Sequence, residues 1–171
     1  MPDVSPLPPP ASQPDLGTGI LAIDVGNSRS KFGYFAAQGK PRDAAVGVGE
    51  LIATMAPRHG ERLPWRQLRE QAFSGEGGPI SSIIAGVNPN GVQRILNEWP
   101  AEFSAPRVIR DFRKLGLPVL VDFPEKVGID RLLNGVAANA WRPADEGAVV
   151  VDSGPATAVD RISAAGAFVG G

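Results

Sequence analysis

Apolar and polar positions along this chain fall into short, sharply bounded runs. Residues 20–23 are apolar and close on the charge of Asp24. Gly26-Asn27 then marks a reversal, since both residue types accept positive φ at low cost. Phe32, Tyr34 and Phe35 resume the apolar pattern in a form suited to a half-buried strand. The stretch predicts two strands joined by a tight polar turn. Further on, residues 43–48 read as a short strand. Leu51, Ile52 and Met55 stand at helical spacing, which predicts a helix over 49–56 ended by Pro57. A second helix is predicted over 63–72, with Pro64 in its first turn and Trp65 and Leu68 three apart. Residues 74–79 form a Gly-rich connector; no Lys-Ser or Lys-Thr pair follows, so it is not a P-loop.

Residues 80–87 predict a buried strand, and Asn88-Pro89-Asn90-Gly91 a turn. A helix over 92–99 presents Val92, Ile95, Leu96 and Trp99 on one face and stops at Pro100. Short apolar strands follow at 107–109 and 117–122. Ile129, Leu132, Leu133, Val136, Ala137 and Ala140 then make the stripe of a helix over 128–141. The polar stretch 142–147 is the best internal boundary. Beyond it, 148–171 reads as three short strands, and the opening pattern returns: apolar strand, Asp152, small-residue turn, second strand. Asp24-Val-Gly26 and Asp152-Ser-Gly154 share one form, an Asp two residues before a Gly at the end of an apolar run. The echo points to duplicated halves whose turns face each other across a cleft with room for a metal and a polyphosphate. A carboxylate there offers magnesium a hard oxygen, while backbone N–H groups, hydroxyls and a lysine suit phosphate. Taken singly, each turn is equally what an ordinary polar hairpin carries.

Composition narrows the setting. Prolines 2, 6, 8, 9, 10 and 14 crowd residues 1–17, which read as a disordered leader unable to bury enough apolar surface to order itself. The net charge is -1, so neither nucleic acid nor an anionic membrane surface is an expected partner. Absence of cysteine excludes disulfides and thiolate metal sites and suits a reducing compartment. No apolar run approaches the roughly 20 residues that cross a bilayer, and no secretory pattern opens the chain. The expected location is cytoplasmic. His59, the single histidine, reads as a surface residue because no second ligand stands at metal-binding spacing.

Three stretches in order carry a resemblance to a known family. Asp24-Val-Gly-Asn-Ser-Arg-Ser-Lys31 is similar to the first phosphate motif of the type III pantothenate kinases, Asp-x-Gly-Asn-Ser/Thr. Gly128-Ile-Asp-Arg131 resembles their Gly-x-Asp-Arg motif. Asp152-Ser-Gly-Pro-Ala-Thr-Ala-Val-Asp160 resembles their second phosphate motif, Asp-x-Gly-Thr-Ala-x-Thr-x-Asp. This resemblance implies an α/β, ribonuclease-H-like or actin-like ATPase fold with a mixed five-stranded sheet and flanking helices. It implies a first domain over 18–144, with the pantothenate motif helix at its end, and the truncated start of a duplicated second domain over 145–171. The implied activity is ATP-dependent phosphorylation of pantothenate to 4′-phosphopantothenate, the first step of coenzyme A synthesis, in a homodimer. Asp130 is then the catalytic base, and Gly128, Ile129, Asp130 and Arg131 bind pantothenate. Asp24, Val25, Gly26, Asn27, Ser28, Arg29, Ser30, Lys31 and Pro155 lie at ATP. Asp24 helps to hold magnesium, and Asp152 holds a monovalent cation, potassium or ammonium.

The sequence departs from the family at Pro155, where Thr or Ser is usual, at Ala158, where Thr is usual, and at Val121, where tyrosine is frequent. Pro155 removes a hydroxyl and a backbone N–H from the second turn. Loss of one donor to a developing oxyanion costs on the order of 3 kcal/mol, about a hundredfold in rate. Strands at 148–171 without covering helices are expected to expose apolar sheet. These features keep two other readings open: a non-catalytic relative of the accessory transcriptional-regulator kind, and an inactive truncated remnant.

Overall fold

The computed structural model describes residues 19–36, 49–72, 81–154 and 156–171. The expectations for the proline-rich leader, the strand at 43–48, the connector at 74–79 and Pro155 lie outside the described residues.

Strands β1 (Gly19–Val25) and β2 (Ser30–Ala36) form the expected antiparallel hairpin, with Asp24 opposite Lys31 and Val25 opposite Ser30. On its other side β1 pairs in parallel with β4 (Ser81–Gly86). An antiparallel β3 (Glu50–Met55) on β2 and a parallel two-residue β5 (Arg107–Val108) on β4 complete a mixed sheet of order β3-β2-β1-β4-β5. This is the mixed five-stranded sheet expected of the actin-like fold. Leu21, Ile23 and Val25 alternate to one face of β1, where α1 (Trp65–Ala72) and α2 (Pro89–Asn97) cover them through Leu68, Val92 and Ile95. Trp65 anchors that layer, meeting Phe32, Trp99 and Phe103 edge-on at centroid distances of 5.6, 5.2 and 6.2 Å. Such aromatic pairs add about 0.5–1.5 kcal/mol each beyond the area they bury.

Three local expectations are overturned. Residues 50–55 form strand β3, not a helix: Leu51 and Ile52 stay half exposed while Ala53 is the buried position, and pairing with β2 decides for the strand over the helical spacing. Helix α2 begins at Pro89 rather than 92. Asn88 is its cap, its side chain accepting the Gly91 N–H at 3.0 Å, and Pro89 occupies a first-turn position where no N–H is needed. The residues read as a turn are thus the start of the helix. Residues 117–122 form no strand; Val119 makes one isolated bridge to Phe168, and a 3-10 turn follows at Pro124–Lys126.

The remainder builds a second packing cluster. Helix α3 (Ile129–Trp141) lies against an antiparallel hairpin of β6 (Ala148–Ser153) and β7 (Thr157–Ile162). A fourth expectation is corrected beyond residue 147, where the described residues form two strands rather than three, with Phe168 bridging to Ile162. Leu117, Leu132, Ile162 and Phe168 are buried together, with Val150 packed on them. The outer face of the hairpin leaves Val149, Val151 and Val159 exposed. At the end of α3 the Arg142 guanidinium gathers carbonyls from both sides of the connector, with Nη1 within 3.1 Å of Pro143, Ala144, Glu146 and Ala164 oxygens.

Candidate active site

The end of β1 sets the first wall. The Gly26 N–H donates to the Arg29 carbonyl at 3.1 Å, closing a tight turn over 26–29. Val25 accepts from the Val87 N–H at 3.0 Å, so β1 and β4 end side by side in parallel. The carboxyl ends of such strands are where open α/β sheets bind ligands.

Beyond that wall lies a cleft of about 670 Å³. Asp24, Gly26, Asn27, Ser28, Arg29 and Lys31 line it from the first turn, and Asp130 and Arg131 line it from the start of α3. Asp152, Ser153, Gly154, Ala156, Thr157 and Ala158 line it from the β6–β7 turn. The three motif stretches therefore share one cavity. Val25 and Ser30 do not line it; both are buried, Val25 in the first packing cluster. Gly128 and Ile129 precede Asp130 at the start of α3 and do not line the cleft.

Asp24 and Lys31 are cross-strand partners whose charges meet at 3.4 Å, both side chains about half exposed. A pair this wet contributes about 0–1 kcal/mol, so the ammonium is readily surrendered to a stronger anion. Asp130 accepts the Arg131 N–H on its Oδ1 at 2.8 Å, folded back over the start of its own helix. Gly128 makes that possible: a Cβ there would stand 2.4 Å from the same oxygen.

Two residues without a role in the sequence reading are tied into this machinery. Asp160, 2% exposed, accepts from the Arg131 Nε at 3.1 and 3.0 Å on its two oxygens and from Nη2 as well. The hydrogen bonds it donates to Asp160 are the main reason the Arg131 guanidinium holds its proton even more firmly than usual; partial desolvation opposes this. Asn134, one turn after Asp130, donates to the Asp152 Oδ2 at 3.4 Å. Asp160 was visible as the last letter of the second motif, but only the fold reveals its partner. His59 is exposed as expected, yet its Nε2 lies 2.8 Å from the Gly26 carbonyl.

Next to the cleft lies a second cavity of about 670 Å³, walled largely by apolar side chains including Ala22, Phe35, Leu51, Ile83, Leu133 and Val150. Asp24, Lys31, Asp130 and Asp152 border both spaces. Among the described residues no group of three or more His, Cys, Asp or Glu side chains converges as a metal site. Asp24 and Asp152 each offer a single carboxylate. That suits magnesium carried on phosphate, which takes one or two protein carboxylates and completes its shell with phosphate and water oxygens.

Sheet order and paired Asp-x-Gly turns are those of an actin-like ATPase fold. Comparison with known proteins narrows the class: a model of the type III pantothenate kinase family matches residues 20–171. The chain belongs to the type III pantothenate kinase family. It is similar to the type III pantothenate kinase of Nocardia farcinica, 30% identical over 162 residues, covering 89% of this chain and 56% of that protein. The type III pantothenate kinases of Saccharopolyspora erythraea and Caulobacter vibrioides are each 33% identical, with 57% and 56% of their lengths covered. The chain thus spans a little over half the length of these relatives. Among the described residues no helix is long and apolar enough to cross a membrane.

Proposed function

We propose that this chain serves ATP-dependent phosphorylation of pantothenate to 4′-phosphopantothenate. One observation carries the reading beyond family membership: Asp130 borders both the polar cleft, with its two phosphate-type turns, and the apolar cavity beside it. Pantothenate carries a primary hydroxyl beside a dimethyl-substituted carbon, so its reacting oxygen and its apolar body call for those two environments at once.

In this reading the 26–29 turn and Lys31 engage the phosphates of ATP. Asp130 accepts the hydroxyl proton as that oxygen bonds to the γ-phosphorus and the bond to the ADP oxygen breaks. Arg131, locked by Asp160, holds the substrate in line, which is most of what a phosphoryl transfer asks of a protein. Magnesium at Asp24, when bound, offsets charge on the transferring phosphoryl group. A monovalent cation at Asp152 and a homodimeric state belong to the same proposal. So does the domain division, with 18–144 as a first actin-like domain and 145–171 as the start of a second. It is supported by the repeated Asp-x-Gly turn, while Leu117 and Leu132 pack with Ile162 and Phe168 and so join α3 to the β6–β7 hairpin across that division.

Ala158 favours a second reading. It puts a methyl group on the cleft where the family carries a hydroxyl, as a non-catalytic relative would tolerate. ADP release measured with and without pantothenate, in potassium and in ammonium, separates the two. Pantothenate-dependent turnover supports the kinase, and ATP binding without turnover supports the relative. Asp130→Asn should abolish turnover and leave the fold intact; unchanged turnover sinks the assignment of the base.

A further inference from the structure

We propose that His59 is a positioning residue that aims the backbone N–H groups of the 26–29 turn into the cleft. This rests on reading that turn as the phosphate site. The His59 ring donates from Nε2 to the Gly26 carbonyl at 2.8 Å, and its own backbone N–H donates to the Ser28 carbonyl at 3.2 Å. One residue therefore takes two carbonyls of the turn from outside the cleft, which His59 does not line. Each peptide unit is planar and trans, so its C=O and the next N–H point in opposite directions. Holding the Gly26 carbonyl on the His59 side turns the Asn27 N–H the other way, and holding the Ser28 carbonyl does the same for Arg29. Asn27 and Arg29 are cleft residues. Successive N–H groups aimed into one concavity are what binds phosphate.

The ring is itself seated. The Ser30 N–H donates to Pro57 at 3.0 Å, and Arg29 bridges to Arg58, so 57–59 runs alongside the turn as a short strap. Asn88, the cap of α2, lies beside the ring with its Nδ2 3.4 Å from Nε2. Gly91 leaves the space: a Cβ there would come within 3.2 Å of the ring Cε1 and 2.7 Å of Val25 Cγ1. A core strand, a helix cap and the strap all converge on this single histidine.

The test compares His59→Ala and His59→Gln with the wild-type chain, by amide hydrogen exchange and by calorimetric titration with magnesium-ATP. Loss of one hydrogen bond should speed exchange at Gly26 and Ser30 about tenfold in His59→Ala, leave β4 amides unchanged, and weaken ATP about tenfold. Gln, whose amide can still donate, should restore both. Unchanged exchange at Gly26 and Ser30 overturns the inference. Faster exchange with unchanged ATP affinity overturns the positioning role. A wild-type chain that takes no ATP while exchange responds to His59→Ala overturns the nucleotide reading instead and leaves the latch standing.

Discussion

Arg131 on α3 and Asp160 on β7, 29 residues apart, form a two-pronged ion pair whose carboxylate is 2% exposed. The two partners are unequally buried, since a third of the Arg131 side chain still meets water. Removing either partner should therefore cost different amounts. Arg131→Ala strands a buried negative charge and should destabilise the fold by about 3 kcal/mol. Asp160→Ala should cost less, because the freed guanidinium can turn toward solvent. Urea denaturation of both variants measures the asymmetry, and equal losses would contradict it.

Gly128→Ala tests the geometry at the start of α3. The backbone there, φ -58° and ψ 136°, is open to alanine, so the substitution strains no dihedral. The added methyl instead displaces the Asp130 carboxylate, which would stand 2.4 Å away. A shift of about 1 Å in a reacting group costs about a hundredfold in rate. The expected outcome is a kcat lowered about a hundredfold with the melting temperature nearly unchanged. A fall in stability matching the fall in rate would show that Gly128 serves the helix instead.

Acid should weaken the fold through identifiable carboxylates. The Glu102 carboxyl is held below its usual range by its own backbone N–H and by Arg69, whose Nη1 donates at 2.7 Å. Asp111 is held down by hydrogen bonds from the Arg113 side chain and backbone. A depressed folded-state pKa gives stability that is complete above the unfolded value, near pH 4, and is lost as pH falls through the lower folded value. Stability should thus decline below about pH 4. Glu102→Gln combined with Asp111→Asn should flatten that decline in a series of denaturation curves.

Arg142 closes the end of α3. Besides the connector carbonyls, its Nε donates to the Asn139 Oδ1 at 2.6 Å, and Asn139 donates onward to the Gly166 carbonyl at 2.7 Å. Arg142→Ala should cost about 2 kcal/mol, the scale of charged hydrogen bonds lost together. Arg142→Lys keeps the charge but not the planar fork and should recover less than half of the loss. Full recovery by lysine, read from the same denaturation curves, would mean that charge alone matters there.

How much of this was legible depended on the range over which each signal acts. The β1–β2 hairpin, β4, α3 and the β6–β7 hairpin show in the sequence because alternation or a long stripe is written locally in residues such as Leu21, Ile23, Leu132 and Val136. Strand β3 is not legible locally because its apolar residues stand at helical spacing yet stay half exposed, and its partner β2 is what makes it a strand. Asn88 and Pro89 carry both turn and capping chemistry, and only the continuing helix tells them apart. At the site, Asp24, Asp130 and Asp152 announced themselves through their glycine neighbours, and the fold brings them to one cleft. Asp160 and His59 could not be read in the same way. Their meaning lies in contacts to Arg131 and Gly26 across tens of residues, which no local pattern encodes.

The two walls of the cleft hang from different hydrophobic clusters, one holding Leu21, Phe32, Trp65 and Ile95, the other Leu117, Leu132, Ile162 and Phe168. Clusters packed separately open separately, each with its own free energy. If the Phe168 cluster loosens, Asp152 and Ala158 leave the cavity while Asp24 stays on an intact sheet. The fraction of molecules with a complete cleft is therefore set by the weaker cluster, not by the stability of the chain as a whole. A polyphosphate reaching both turns would draw that population toward the assembled state by mass action, acting as a fastener for the β6–β7 hairpin as much as a substrate.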